Sequence, residues 1–95
     1  MRIIKTSNAT DDLDRIVAYI ARDNLRAALQ WLEDLERLIA LLAEQPQLGE
    51  GVKTKEFGKV RRRGFGNYLI YFRATADELQ ILSVLHAARD QERLI

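Results

Sequence analysis

Residues 24–46, NLRAALQWLEDLERLIALLAEQP, decide how this chain folds. Ala28, Trp31, Leu32, Leu35, Leu38, Ile39 and Leu42 recur at helical intervals and share one side of an α-helix. Glu33, Asp34, Glu36 and Arg37 take the other side. Asn24 is placed to cap the helix start. Gln45-Pro46 ends it, because proline cannot extend the backbone ladder and restricts the residue before it. A helix with one apolar stripe must bury that stripe, so the flanking sequence has to supply the other layer.

Upstream, Ala9, Leu13, Ile16, Val17, Ile20 and Ala21 mark the face of an earlier helix. Ser7 is its expected N-cap, and Asp11, Asp12 and Asp14 favour a helix N-terminus. Asp23-Asn24 interrupts the pattern, so the two helices form a hairpin whose facing stripes make core. Arg2 to Lys5, with Ile3 and Ile4, is a short N-terminal strand.

Downstream, the period changes. Pro46 to Glu56 is expected to be a loop broken by Gly49 and Gly51. Phe57 to Arg62 is a candidate strand, with three consecutive arginines at its rim. Gly64-Phe65-Gly66-Asn67 is a turn signal. Tyr68 to Arg73, YLIYFR, is apolar on both faces until Arg73 and is a central strand. Leu79 to Leu85 follows as another strand, and His86 to Ile95 is a polar tail with one helical turn at most. The order is β-α-α-β-β-β. A helical hairpin covers one face of a small antiparallel meander, with the first strand added at the side, in an α+β arrangement.

The chain has 95 residues, which suits one domain spanning 1–95. It lacks cysteine, which excludes disulfides and thiolate chemistry, and a single histidine gives little basis for a metal site. No apolar run is long enough for a membrane helix, and MRIIKTSNATDD has no signal-peptide apolar region. A cytoplasmic protein with neither metal nor cofactor is therefore expected.

The formal net charge of +1 conceals a segregation. Residues 1–50 carry net −3, residues 51–73 net +6 and residues 74–95 net −2. The basic segment holds Lys53, Lys55, Lys59, Arg61, Arg62, Arg63 and Arg73 against Glu56 alone. Such a strip suits an anionic partner, either nucleic acid or an acidic protein. It equally suits a sheet edge that its charges protect from aggregation.

Common enzyme signatures are missing. Gly64-Phe65-Gly66 has no following helix N-terminus to hold phosphate. No serine sits in a nucleophile elbow, and the carboxylates fall mostly on helix exteriors. Three groups of residues remain. Lys59, Arg61 and Arg63 share a strand face by the period of two, with Arg73 at the end of the next strand, either nearby or on the opposite sheet face. Tyr68, Tyr71 and Phe72 suit either base stacking or core filling. His86-Ala87-Ala88-Arg89-Asp90 sets an imidazole, which exchanges protons near neutral pH, beside an arginine able to clamp phosphate. Its structural alternative is an Arg89–Asp90 pair with His86 ending the strand.

DLDRIVAYIARDN, the helix with Trp31, LLAEQPQLGEGV, VRRRGFGNYLIYFR and ILSVLHAARD together resemble the ParE toxins. These belong to the RelE/ParE superfamily of bacterial type II toxin–antitoxin systems. The likeness runs through nearly the whole chain in order, and GNYLIYFR and LHAARD are its most specific pieces. It implies the compact hairpin-on-sheet fold already read from the pattern. It also implies a protein that poisons DNA gyrase, or a related topoisomerase, without chemistry of its own, neutralised by a ParD-type antitoxin. Target- or antitoxin-binding residues would come from Lys59, Arg61, Arg62, Arg63, Tyr68, Arg73, His86 and Arg89, with direct nucleic-acid contact among the options.

RelE-type members are instead ribosome-dependent mRNA endonucleases with a basic strand cluster, an arginine opening the central strand, a late arginine and a C-terminal acid/base. Lys59 and Arg61 match the cluster and Arg89 the late arginine. Tyr68 stands where the strand-opening arginine belongs, and Gln91-Glu92-Arg93-Leu94-Ile95 offers no acid/base. The endonuclease alternative would therefore need Lys59, Arg61 and Arg63 on phosphate, His86 as acid/base and Arg89 on the transition state.

Overall fold

A computed structural model describes residues 1–90. The N-terminal strand β1 (Arg2–Lys5) leads into helix α1 (Ser7–Asp23), and α2 (Leu25–Glu44) folds back beside it. A 3₁₀ turn (Pro46–Leu48) precedes β2 (Glu50–Thr54), β3 (Gly58–Phe65), β4 (Tyr68–Ala74) and β5 (Glu78–His86). The five strands are ordered β1-β5-β4-β3-β2. β2 to β5 form an antiparallel meander, and β1 adds in parallel along β5. The α+β architecture is the expected one, and the first strand does join at the side of the sheet.

Three details differ from the sequence reading. Thr6, not Ser7, caps α1, its hydroxyl accepting from the Ala9 N–H at 3.1 Å. The aspartates 11, 12 and 14 consequently lie beyond the first turn. The segment expected to be a loop contains β2, paired with β3 from Glu50↔Arg62 to Thr54↔Gly58. β3 runs on through Gly64 and Phe65, so the turn is only Gly66-Asn67, closed by the Phe65↔Tyr68 pair. Gly66 has φ 56°, a left-handed conformation that glycine takes without strain.

Asn24 both ends α1 and begins α2. Its backbone N–H donates to the Ile20 carbonyl at 3.0 Å, and its side chain accepts from the Ala27 N–H at 3.0 Å. This double use sets the short hairpin turn.

The main core lies between the helices and the sheet: Ala9 and Leu13 of α1 and Leu35, Ile39 and Leu42 of α2 meet Ile70, Phe72, Leu79, Ile81 and Val84. Trp31 closes one end, edge-on to both Phe65 and Tyr68 at 5.4 Å between ring centroids. On the other face of the sheet Val60, Tyr71, Leu82 and Leu85 form a smaller cluster. Burying YLIYFR on both faces is what makes β4 central.

One irregularity fixes α1 against the sheet. Tyr71 pairs with Ser83 and Phe72 with Ile81, leaving Leu82 as an extra residue in a β-bulge. The Leu82 carbonyl accepts from the Thr6 hydroxyl and the Asn8 amide, both at 3.2 Å. Beside it, Asp12 accepts from the Ser83 hydroxyl at 2.7 Å and the Val84 N–H at 3.0 Å.

Candidate functional site

The basic strip spans β2, β3 and β4. Register places Lys59, Arg61 and Arg63 on one face of β3, as the period of two requires, with Arg62 on the other. The arginines, however, are largely engaged with the chain itself. Arg61 donates to the Gly49 carbonyl at 2.8 Å and Arg63 to the Leu48 carbonyl at 3.0 Å. Arg73 donates to the Phe57 carbonyl at 2.9 Å. Arg62 donates to Glu50 at 2.6 Å across the β2–β3 rung. Glu50 chiefly, and then the facing Tyr71 hydroxyl, hold the Arg62 guanidinium more firmly protonated than usual. That hydroxyl is buried without a hydrogen bond of ordinary geometry.

Gly49 explains why these tethers converge. A Cβ there would come within 2.4 Å of the Phe72 ring and 3.3 Å of the Arg61 Cβ. The 3₁₀ turn thus lies directly on the sheet, with carbonyls presented to Arg61 and Arg63. Lys53 and Lys59 stand outside this arrangement. They pair directly across β2 and β3, are exposed, and make no hydrogen bond or ion pair with the described residues. The sequence places Lys53 in the basic segment but not among the candidate binding residues. Its place opposite Lys59 follows only once β2 is recognised as a strand.

His86 lies elsewhere. It ends β5 opposite Tyr68, against whose ring it packs edge-on at 5.4 Å. Its Nδ1 accepts from the Ala88 N–H at 3.2 Å, and Asp90 accepts from the His86 N–H at 3.2 Å. Asp90 therefore closes the turn after β5, and Arg89 is left exposed. Arg89, Arg15, Tyr19 and Tyr68 line a cleft of about 350 Å³ whose floor includes Asp12. His86 is aligned with Tyr68 and Arg61 with Phe72, four residues along β4 and two strands across. The separation is about 17 Å from strand geometry. The sheet thus keeps Lys59 and Arg61 on one face, puts Arg73 at the same end but on the opposite face, and sets Tyr68, His86 and Arg89 apart at its other end. The remainder of the expected tail, residues 91–95, lies outside the described residues.

A third surface belongs to the helical hairpin. Leu13, Val17 and Ala18 of α1, Leu32 and Glu36 of α2 and Lys5 of β1 line a mainly apolar groove of about 410 Å³. Leu25 and Leu29 extend the apolar character along α2 and are more than half exposed. Lys5 and Glu36 form an ion pair of 2.7 Å at its rim. Among the described residues no cluster of three metal-ligating side chains occurs, and no helix is long and apolar enough to cross a membrane.

A helical hairpin on a five-stranded sheet, with a basic edge and an open groove between the helices, defines the chain as a small two-layer α+β domain. The family model described as "ParE toxin of type II toxin-antitoxin system, parDE" matches residues 3–91. The chain belongs to this ParE toxin family. A solved structure titled "Chromosomal ParDE TA system from P. aeruginosa" superposes with a TM-score of 0.71 at 26% identity, covering 90% of this chain and 95% of that one. No curated protein matches it.

Proposed function

We propose that this toxin acts by binding: it holds DNA gyrase, or a related topoisomerase, in its DNA-cleaved state, and a ParD-type antitoxin neutralises it. The observation that carries the reading is the family match through residues 3–91. A protein that poisons an enzyme needs no catalytic centre. It has to bind one state of the target more tightly than the others, and the shift it produces is limited by that difference. Such a target also makes the cytoplasm its place of action.

The hairpin groove supports the antitoxin half of the reading. An amphipathic helix laid in it would cover Leu13, Val17, Ala18 and Leu32 and continue over Leu29 and Leu25. Target contacts are then sought among Lys59, Arg61, Arg62, Arg63 and Arg73 on the basic strip, and Tyr68, His86 and Arg89 at the other end.

The endonuclease alternative gains no support from the geometry. An acid/base must come within hydrogen-bond reach of the proton it moves, on the same substrate that the phosphate clamp holds. His86 is about 17 Å from Arg61, and its Nδ1 is engaged by Ala88.

The deciding experiment incubates purified toxin with gyrase, ATP and plasmid and stops the reaction with protein denaturant. Linear, protein-linked DNA that requires gyrase and disappears with antitoxin is the expected result. Undisturbed supercoiling with toxin in excess would overturn the reading, and ribosome-dependent mRNA cleavage would then be sought.

A further inference from the structure

Lys53 and Lys59 face each other directly across β2 and β3. Like charges so placed, with Cβ atoms about 5 Å apart, repel and weaken the sheet. No described carboxylate pairs with either one. Protection of the sheet edge would account for a lysine on β2, but not for a second one opposite it on the interior strand β3. Arg61, the next residue of β3 on this face, extends the row by about 7 Å and is itself exposed.

We propose that Lys53, Lys59 and Arg61 form a contact surface for the phosphodiester backbone of double-stranded DNA. The proposal deepens the gyrase reading, on which it rests for its setting: the duplex would be DNA that the target holds.

The geometry suits the repeating charge of a duplex. Guanidinium forks bind carboxylate and phosphate alike and lysine serves either as a point charge, but duplex DNA carries a negative charge about every 3.4 Å along each strand, a regular array that a rigid, linear row of cations can follow. On this strip Arg61, Arg62, Arg63 and Arg73 each already spend donors on the chain's own carbonyls or on Glu50. The cations of the strip with every donor free are the paired lysines and Lys55, in the turn between their strands. The row is also rigid, since the Gly49 carbonyl holds Arg61 and the β-ladder fixes both lysine backbones. It lies at the β2 edge, while the hairpin groove is bordered by Lys5 of β1, at the opposite edge. Four inter-strand spacings, about 19 Å, separate the two. An antitoxin helix in the groove would leave the row open.

The test is fluorescence anisotropy of a labelled duplex of about 20 base pairs with full-length toxin, titrated at about 50 and about 200 mM salt. Three phosphate contacts predict an affinity loss of about 40-fold between these salts, from a slope of about −0.9 per contact. Lys53→Gln with Lys59→Gln should bind more weakly at low salt and lose only about fourfold across the same range. Lys53→Arg with Lys59→Arg should behave as the wild type. Antitoxin binding serves as the control for folding and needs neither gyrase nor DNA. If the double glutamine variant does not fold, single Lys53→Gln is read instead, with a slope shallower by about one.

Absence of duplex binding at low salt overturns the proposal, as does a glutamine variant with an unchanged slope. Displacement of the duplex by polyglutamate at equal charge concentration also overturns it, and assigns the row to an acidic protein. Because the assay contains no gyrase, these failures are distinct from a failure of the poisoning reading.

Discussion

Asp12, on α1, accepts a hydrogen bond from the hydroxyl of Ser83, on β5, at 2.7 Å inside the protein. The same carboxylate oxygen takes the Val84 N–H at 3.0 Å, and its other oxygen pairs with Arg15 at 2.5 Å. Asp12 is 2% exposed and Ser83 is fully buried, so the Ser83 hydroxyl depends on this carboxylate for satisfaction. Removing the carboxylate strands a hydroxyl and an amide at the bulge. Asp12→Ala should therefore cost about 3 kcal/mol, the range found when a buried charge partner is deleted. Asp12→Asn keeps an acceptor oxygen and should cost about half as much. Urea unfolding followed by Trp31 fluorescence measures both, and an alanine variant as stable as wild type would refute the bulge-anchoring role.

The contact between Gly49 and Phe72 gives a second prediction. Gly49→Ala puts a methyl group 2.4 Å from the Phe72 ring, and neither the ring in the core nor the 3₁₀ turn on the sheet can move freely. The turn should lift, weakening the Arg61–Gly49 hydrogen bond. A loss of about 1–3 kcal/mol follows from overpacking. The denaturation midpoint checks this, and a loss confined to the midpoint with unchanged slope would show that the fold survives.

The sequence displayed its helices and central strand openly because their burial is one-sided or complete. The stripe from Ala28 to Leu42 and the run YLIYFR have few alternative arrangements. β2 was hidden because EGVKT is short, polar and glycine-containing, and an edge strand is defined by backbone pairing rather than by an apolar face. Missing β2 meant missing the Lys53–Lys59 pair. Asp12 did leave a trace. It lies three residues after Ala9 and four before Ile16, on the buried stripe, where a carboxylate needs a partner. Charge alone could not show that Arg61 and Arg63 reach the carbonyls of Leu48 and Gly49, because that depends on where the 3₁₀ turn docks. The separation of His86 from the basic strip likewise required the register of three strands.

Tyr71 carries a buried hydroxyl with no ordinary hydrogen bond, facing Arg62. Tyr71→Phe removes a polar atom from the apolar cluster of Val60, Leu82 and Leu85 while keeping the ring. Stability should be unchanged or rise by up to about 1 kcal/mol. A loss above about 1 kcal/mol would mean that the hydroxyl's contact with Arg62 matters to the fold. Thermal unfolding of the two proteins side by side is sufficient.

His86 separates a binding poison from an enzyme. His86→Phe preserves an aromatic ring against Tyr68 and loses the Nδ1 acceptor for Ala88. The structural cost should be about 1 kcal/mol or less. Gyrase-dependent DNA cleavage should fall by no more than about tenfold, the loss of a single binding contact, measured with protein shown to be folded. Were the imidazole a general acid/base, activity would fall by about 10²–10⁴. A loss of that size with antitoxin affinity intact would argue for chemistry at His86.

Antitoxin recognition is best tested where the groove wall is exposed. Ala18 lines the groove and tolerates a longer side chain sterically, being open to solvent. Ala18→Glu places a carboxylate four residues from Asp14, adding like-charge repulsion along α1 at a cost of about 0.5 kcal/mol in helix stability. Its larger effect should fall on binding. An apolar helix face docking against Val17 and Leu32 would have to desolvate the new charge. Affinity for the antitoxin should drop at least about tenfold, equivalent to about 1.4 kcal/mol. Lys53→Gln, at the opposite edge of the sheet, should leave that affinity within about twofold, since distant sites act independently. Isothermal titration of both variants decides the matter. Loss in Lys53→Gln alone would place the antitoxin on the basic edge, whereas loss in Ala18→Glu alone would place it in the groove between α1 and α2.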